Sequence, residues 1–166
     1  MKFSNLFSTA AVLTCLIATG AQAGAVNYGG NNCVARSGTV SLDYDGALYN
    51  PSSTTSSWVL CDVAHTDFDG FLNPGEIDSG WVHFVDLNRS RDASCRFRGH
   101  SLNSNGTITR YYSNLPSTSG YGTHRQVLSL GSMSENGASD MKLACEMPTR
   151  DLATGYTKMH VYRVNQ

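Results

Sequence analysis

Charge is scarce in this sequence, and so are proline, tryptophan and long apolar runs. Asp, Glu, Lys and Arg make up 15% of the 166 residues, against about 25% in ordinary soluble domains. That shortage excludes coiled coils and long surface helices, which depend on Glu/Lys pairs at helical spacing. The formal net charge of -1 excludes the strongly basic balance of a dedicated nucleic-acid binder. Beyond the first residues no stretch approaches the roughly 18 apolar residues of a membrane helix. Catalytic spacings are missing as well. None of His65, His83, His100, His124 and His160 stands in a His-Glu-x-x-His pattern, and there is neither a Gly-x-Ser-x-Gly elbow nor a phosphate loop.

What the chain does have is an export signature. Lys2 precedes the mostly apolar stretch Leu6 to Thr19, and Ala21-Gln22-Ala23 supplies the small residues a signal peptidase needs. Residues 1–23 are therefore expected to be a signal peptide, cleaved after Ala23, and 24–166 a single domain that is secreted or periplasmic. Loss of Lys2 leaves 11 basic residues against 13 acidic ones, a net charge of -2. Loss of Cys15 leaves Cys33, Cys61, Cys95 and Cys145. An even cysteine count in an exported chain points to two disulfides. Of the three possible connectivities we take Cys33–Cys61 with Cys95–Cys145 as the expectation, although spacing does not single it out.

Strand signals dominate the rest. Val40, Leu42, Tyr44 and Leu48 punctuate Thr39 to Tyr49, with Gly46 where a bulge would fit. Further strands are expected over Trp58 to Ala64, Trp81 to Leu87, Ala93 to Gly99, Val127 to Leu130, Met141 to Met147 and Tyr156 to Val164. Asn105-Gly106, a two-residue hairpin signal, precedes a strand over Thr107 to Tyr112. Asn136-Gly137 marks another turn. About eight short strands with Gly, Asn and Ser between them predict an all-β fold, an antiparallel sandwich of jelly-roll type. Val40, Leu42, Phe97, Leu143, Met159 and Val161 are the expected core, joined by Trp81.

Tyr49-Asn50-Pro51-Ser52-Ser53, Ser79-Gly80-Trp81-Val82 and Tyr162-Arg163-Val164-Asn165 resemble segments of a group of small exported bacterial proteins. The resemblance spans most of the mature chain. It implies a bacterial source and export, and carries no activity.

The near-neutral total hides two blocks. Between Arg36 and Arg89 there is no Lys or Arg, but there are eight acids: Asp43, Asp45, Asp62, Asp67, Asp69, Glu76, Asp78 and Asp86. Arg89, Arg91, Arg96, Arg98, Arg110 and Arg125 follow, opposed by Asp92 alone. The simpler expectation is that acids and arginines pair across the sheet. The alternative is two surface patches of opposite sign. Arg96 and Arg98, two apart on one strand, share a face and suit an acidic polysaccharide, which is held by spaced guanidinium forks. Trp58, Trp81, Tyr111, Tyr112 and Tyr121 are candidates for a sugar platform, and Tyr111 or Tyr112 must face outward.

One stretch has metal-binding spacing. In His65 to Glu76, Asp67, Asp69, Asn73 and Glu76 take positions 3, 5, 9 and 12 of a calcium loop. Gly70 supplies the sharp turn, and Phe71 offers its carbonyl. Position 1 is His65, a poor calcium ligand, and the flanks read as strands rather than helices. The stretch therefore has two readings, a plain solvated acidic turn or a calcium site in a structural role, with calcium the one candidate cofactor.

These features predict an exported, non-enzymatic binding protein whose partner is an extracellular polysaccharide or cell-surface component. Two other classes compete: a small secreted hydrolase with a site assembled from distant residues, and a structural envelope or matrix protein.

Overall fold

The computed structural model describes residues 25–63, 77–133 and 140–165. The expected signal peptide, the calcium loop and Asn136-Gly137 lie outside the described residues. The strands are β1 (Ala25–Gly29), β2 (Cys33–Ser37), β3 (Ser41–Leu42), β4 (Leu48–Tyr49), β5 (Ser57–Asp62) and β6 (Ser79–Val85). They continue as β7 (Ser94–Leu102), β8 (Ile108–Tyr112), β9 (Arg125–Leu130), β10 (Asp140–Met147) and β11 (Lys158–Asn165). The first sheet runs β3-β4-β11-β6-β9, with β1 also on β11, and the second runs β2-β5-β10-β7-β8. All pairings are antiparallel. From β4 onward, the order 4-11-6-9 opposite 5-10-7-8 is the double Greek key of a jelly roll.

Alternation builds the core. Val59 and Cys61 on β5, Met141, Leu143, Cys145 and Met147 on β10, and Cys95 and Phe97 on β7 point inward. From the other sheet come Val82, Phe84, Leu128, Leu130, Met159, Tyr162 and Val164. Gly80 lets the sheets approach. A Cβ there would run into the Phe97 ring and stand 2.7 Å from the Arg163 carbonyl, so the position admits no side chain.

Both disulfides lie in the second sheet and follow its register. Cys33 is opposite Cys61, and Cys95 is opposite Cys145. The expected connectivity is the one found. Each bridge fastens adjacent strands separated by 28 and 50 residues of chain.

Three core expectations are corrected. Leu42 is 47% exposed, because β3 is a two-residue edge strand with no neighbour beyond it. Val161 faces outward because a bulge between Met159 and Val161 inserts His160 and shifts the alternation, so that Tyr162 and Val164 turn inward instead. Trp81 is also on an outer face. Gly80, Val82 and Phe84 are the buried set of β6, and a strand apolar on both faces does not reveal its parity by sequence.

Candidate functional site

The site is built on the β7–β8 ribbon at the edge of the second sheet. Its connecting turn decides which side chains face outward. Asn103 N–H donates to the Thr107 carbonyl and Gly106 N–H to the Asn103 carbonyl, with Gly106 at φ 79 and no positive φ outside glycine among the described residues. The loop is therefore the three-residue Ser104-Asn105-Gly106, a type I turn closed by a left-handed glycine. The two-residue form would need a positive φ at Asn105 as well. One extra residue sets the register: Leu102 opposite Ile108, His100 opposite Arg110, Gly99 opposite Tyr111, and Arg98 opposite Tyr112. Gly46 plays the same part between β3 and β4, at φ 77 with Gly46 N–H donating to the Asp43 carbonyl. The expected bulge position thus falls at the closing residue of a β3–β4 hairpin, as a left-handed glycine after a type I turn.

That register separates the two tyrosines. Tyr111 lies on the inner face and packs against the core. Tyr112 lies on the outer face, 46% exposed, with the Arg96 guanidinium 4.3 Å from its ring centroid. An arginine over an exposed tyrosine is worth about 0.5–1 kcal/mol, a bias toward the ring that a ligand can overcome. Arg98 stands between Tyr112 on one side and Lys142 on the other. The structure thus brings together Arg96, Arg98 and Tyr112, adds Arg110, and leaves Tyr111 on the opposite side. Trp58 shares the outer face but sits on β5, with β10 and β7 between it and Tyr112. Tyr121 is exposed in the β8–β9 connection.

The ion pairs do not follow the simpler expectation. Among the described residues Lys142 pairs with Asp62 at 2.7 Å and Asp140 at 3.2 Å, Lys158 with Asp43 at 2.7 Å, and Arg89 with Asp151 at 3.1 Å. Asp43 and Asp62 of the acidic block are thus answered by late lysines, and Arg89 is the one arginine in an ion pair among the described residues. Arg96, Arg98 and Arg110 have no carboxylate partner there. Lys142 is held above its ordinary pKa, chiefly by its hydrogen bond to Asp62, so its charge is already spoken for. The arginines' charge is not.

Arg98 instead engages a neutral neighbour. Its Nε and Nη2 lie 3.1 and 2.8 Å from His100 Nε2. His100 is pushed below its ordinary pKa by burial and then by Arg98, with Arg110 and Arg36 adding to the effect and Asp140 opposing it.

The outer face of the first sheet is different in character. Trp81 stacks on His83 at 4.2 Å and 17°, and the Arg163 guanidinium lies 6.0 Å from the indole centroid. His83 is pushed down by burial, then by Arg125 and His160. Trp81 is half-buried beneath these neighbours, whereas Tyr112 stays 46% exposed beside its arginine, so Tyr112 is the more available of the two to a sugar.

Among the described residues no group of three or more His, Cys, Asp and Glu is placed to hold a metal. Asp67, Asp69, Phe71, Asn73 and Glu76 are outside them. Their segment joins β5 of the second sheet to β6 of the first, so its flanks are strands as expected. No described helix is long and apolar enough to cross a membrane.

No protein-family model matches the chain, and no curated protein sequence does. Among solved structures, the CBM22-1 xylan-binding domain of Paenibacillus barcinonensis Xyn10C is similar, with a TM-score of 0.51 and 14% identity over 84% of this chain and 92% of that one. A family two carbohydrate esterase from Cellvibrio japonicus aligns at a TM-score of 0.43 and 7% identity, over 86% of this chain and 33% of that one. With the jelly-roll strand order, the first likeness establishes the fold: this chain and the xylan-binding domain share one β-sandwich architecture.

Proposed function

We propose that the protein binds polysaccharide and that the outer face of its second sheet takes an acidic one. The observation that carries the reading is the set Arg96, Arg98 and Arg110 beside Tyr112 on adjacent strands, without a carboxylate partner among the described residues. Planar guanidinium forks match carboxylate or sulfate groups bidentately, and an exposed phenol adds an apolar edge for a sugar ring. A sheet face spaces its side chains regularly, which suits a repeating ligand. The shared fold with a xylan-binding domain supports the binding reading at the level of architecture. The acidic preference comes from this chain's own arginines.

A glycan array tests it. Uronate-bearing and sulfated chains should give the signal, neutral xylan and cellulose should not, and Tyr112→Ala should reduce it. An array blank for every acidic glycan would overturn the proposal.

A further inference from the structure

Resting on that reading, we propose that His100 is a proton-operated latch on Arg98, so that the face grips a polyanion more tightly as the pH falls. Arginine has no acceptor, so the short contacts from Arg98 Nε and Nη2 require His100 Nε2 to be the accepting lone pair. The ring is then neutral, with its proton on Nδ1. In this state the guanidinium lies along its own strand, both nitrogens turned toward the imidazole instead of outward to a ligand.

Protonation reverses the contact. A proton on Nε2 sets N–H against N–H and charge against charge, so Arg98 leaves the ring and its fork becomes available. The imidazolium adds a charge of its own on the same face.

The charged groups around His100 hold the ring neutral while the face is empty. Arg98 is on its own strand, Arg110 is directly opposite on β8, and Asp140 is directly opposite on β10. Arg36 acts from β2. Three cations outweigh one carboxylate, and Asp140 already shares Lys142. The neutral ring is favoured at neutral pH, in line with the downward displacement of its pKa. A polyanion on the face would offset those cations and favour the protonated ring. By linkage, protonation then raises affinity for the polyanion by the same factor.

Dextran sulfate is a suitable probe, because its sulfate groups stay ionised throughout and the ligand's charge does not change. Binding by the full chain should be about fivefold tighter at pH 5 than at pH 7.5, the lower end of usual coupling between sites. His100→Gln should remove most of that difference although the other histidines are still present. In the unaltered protein, the His100 ring followed by NMR should titrate at higher pH with dextran sulfate than without. An equal pH dependence in His100→Gln, or a His100 titration indifferent to the probe, would overturn the latch alone. No binding of dextran sulfate at either pH would overturn the reading of the face on which it rests.

Discussion

The Thr157 hydroxyl donates a 2.6 Å hydrogen bond to the Asp86 carboxylate, and both residues are buried. The Thr118 hydroxyl bonds the other carboxylate oxygen, and Asn88 N–H donates to the first at 3.0 Å. One carboxylate at the end of β6 thereby joins the β8–β9 connection to the approach to β11. Removing it takes the acceptor away from two buried hydroxyl protons. Asp86→Ala should cost about 3 kcal/mol in urea unfolding, and Thr157→Val about 1–2 kcal/mol. Unchanged midpoints would mean the junction does not hold these segments.

The two bridges should each contribute about 3–4 kcal/mol by restricting the unfolded chain across 28 and 50 residues. Cys95→Ala/Cys145→Ala should lower the urea midpoint at least as much as Cys33→Ala/Cys61→Ala, since it opens the longer loop. Peptide mapping without reduction should recover both cross-strand pairs. A free thiol among the four would contradict the pairing.

Acid should destabilise the fold in two stages. His83 and His100 sit below their ordinary 6.5, so the unfolded chain takes up these protons first. Their contribution is complete above that value and is lost as pH falls through the depressed folded values. Asp43 is lowered chiefly by Lys158 and Asp151 chiefly by Arg89. Their contribution is complete above the ordinary 3.8 and disappears below it. Tm should therefore fall between neutral and mildly acidic pH, less so in His83→Gln, and fall again in stronger acid. A Tm that rises on mild acidification would contradict this assignment.

Loop 65–76 carries the calcium expectation from its spacing. Thermal midpoints should be higher in excess calcium than with chelator, since a ligand bound by the native state at about 100 times its Kd adds about 2.7 kcal/mol. Glu76→Gln should abolish the difference. Equal midpoints in the unaltered protein would remove calcium from the account.

Much of the fold was legible because alternation is a local signal. Phe97 and Leu143 were identified as core from their own neighbours, and both are buried. What was hidden depended on single-residue shifts. The bulge at His160 turned Val161 out and Tyr162 in. The third residue of the Ser104-Asn105-Gly106 loop put Tyr112, and not Tyr111, on the arginine face. β1 and β2 were missed because the polar run Gly29 to Asn32 and their exposed residues give little periodicity. The site's arginine pair was legible from Arg96 and Arg98 alone. Arg110 and His100 joined it through the hairpin register, which Asn105-Gly106 signalled one residue short. The unpaired state of the arginines was not legible, because it depended on distant Lys142 and Lys158 taking Asp62, Asp140 and Asp43.

The most direct measurement of the central claim is calorimetric titration of the full chain with polygalacturonate at pH 5, beside its Arg98→Ala and Tyr112→Ala variants and the double variant that combines them. The account predicts saturable binding that weakens as salt screens the guanidinium charges, falls by about tenfold for the loss of one charged hydrogen-bonding fork in Arg98→Ala, and drops again in the double variant. Binding unchanged by both substitutions, or binding to neutral xylan at equal strength, would contradict it.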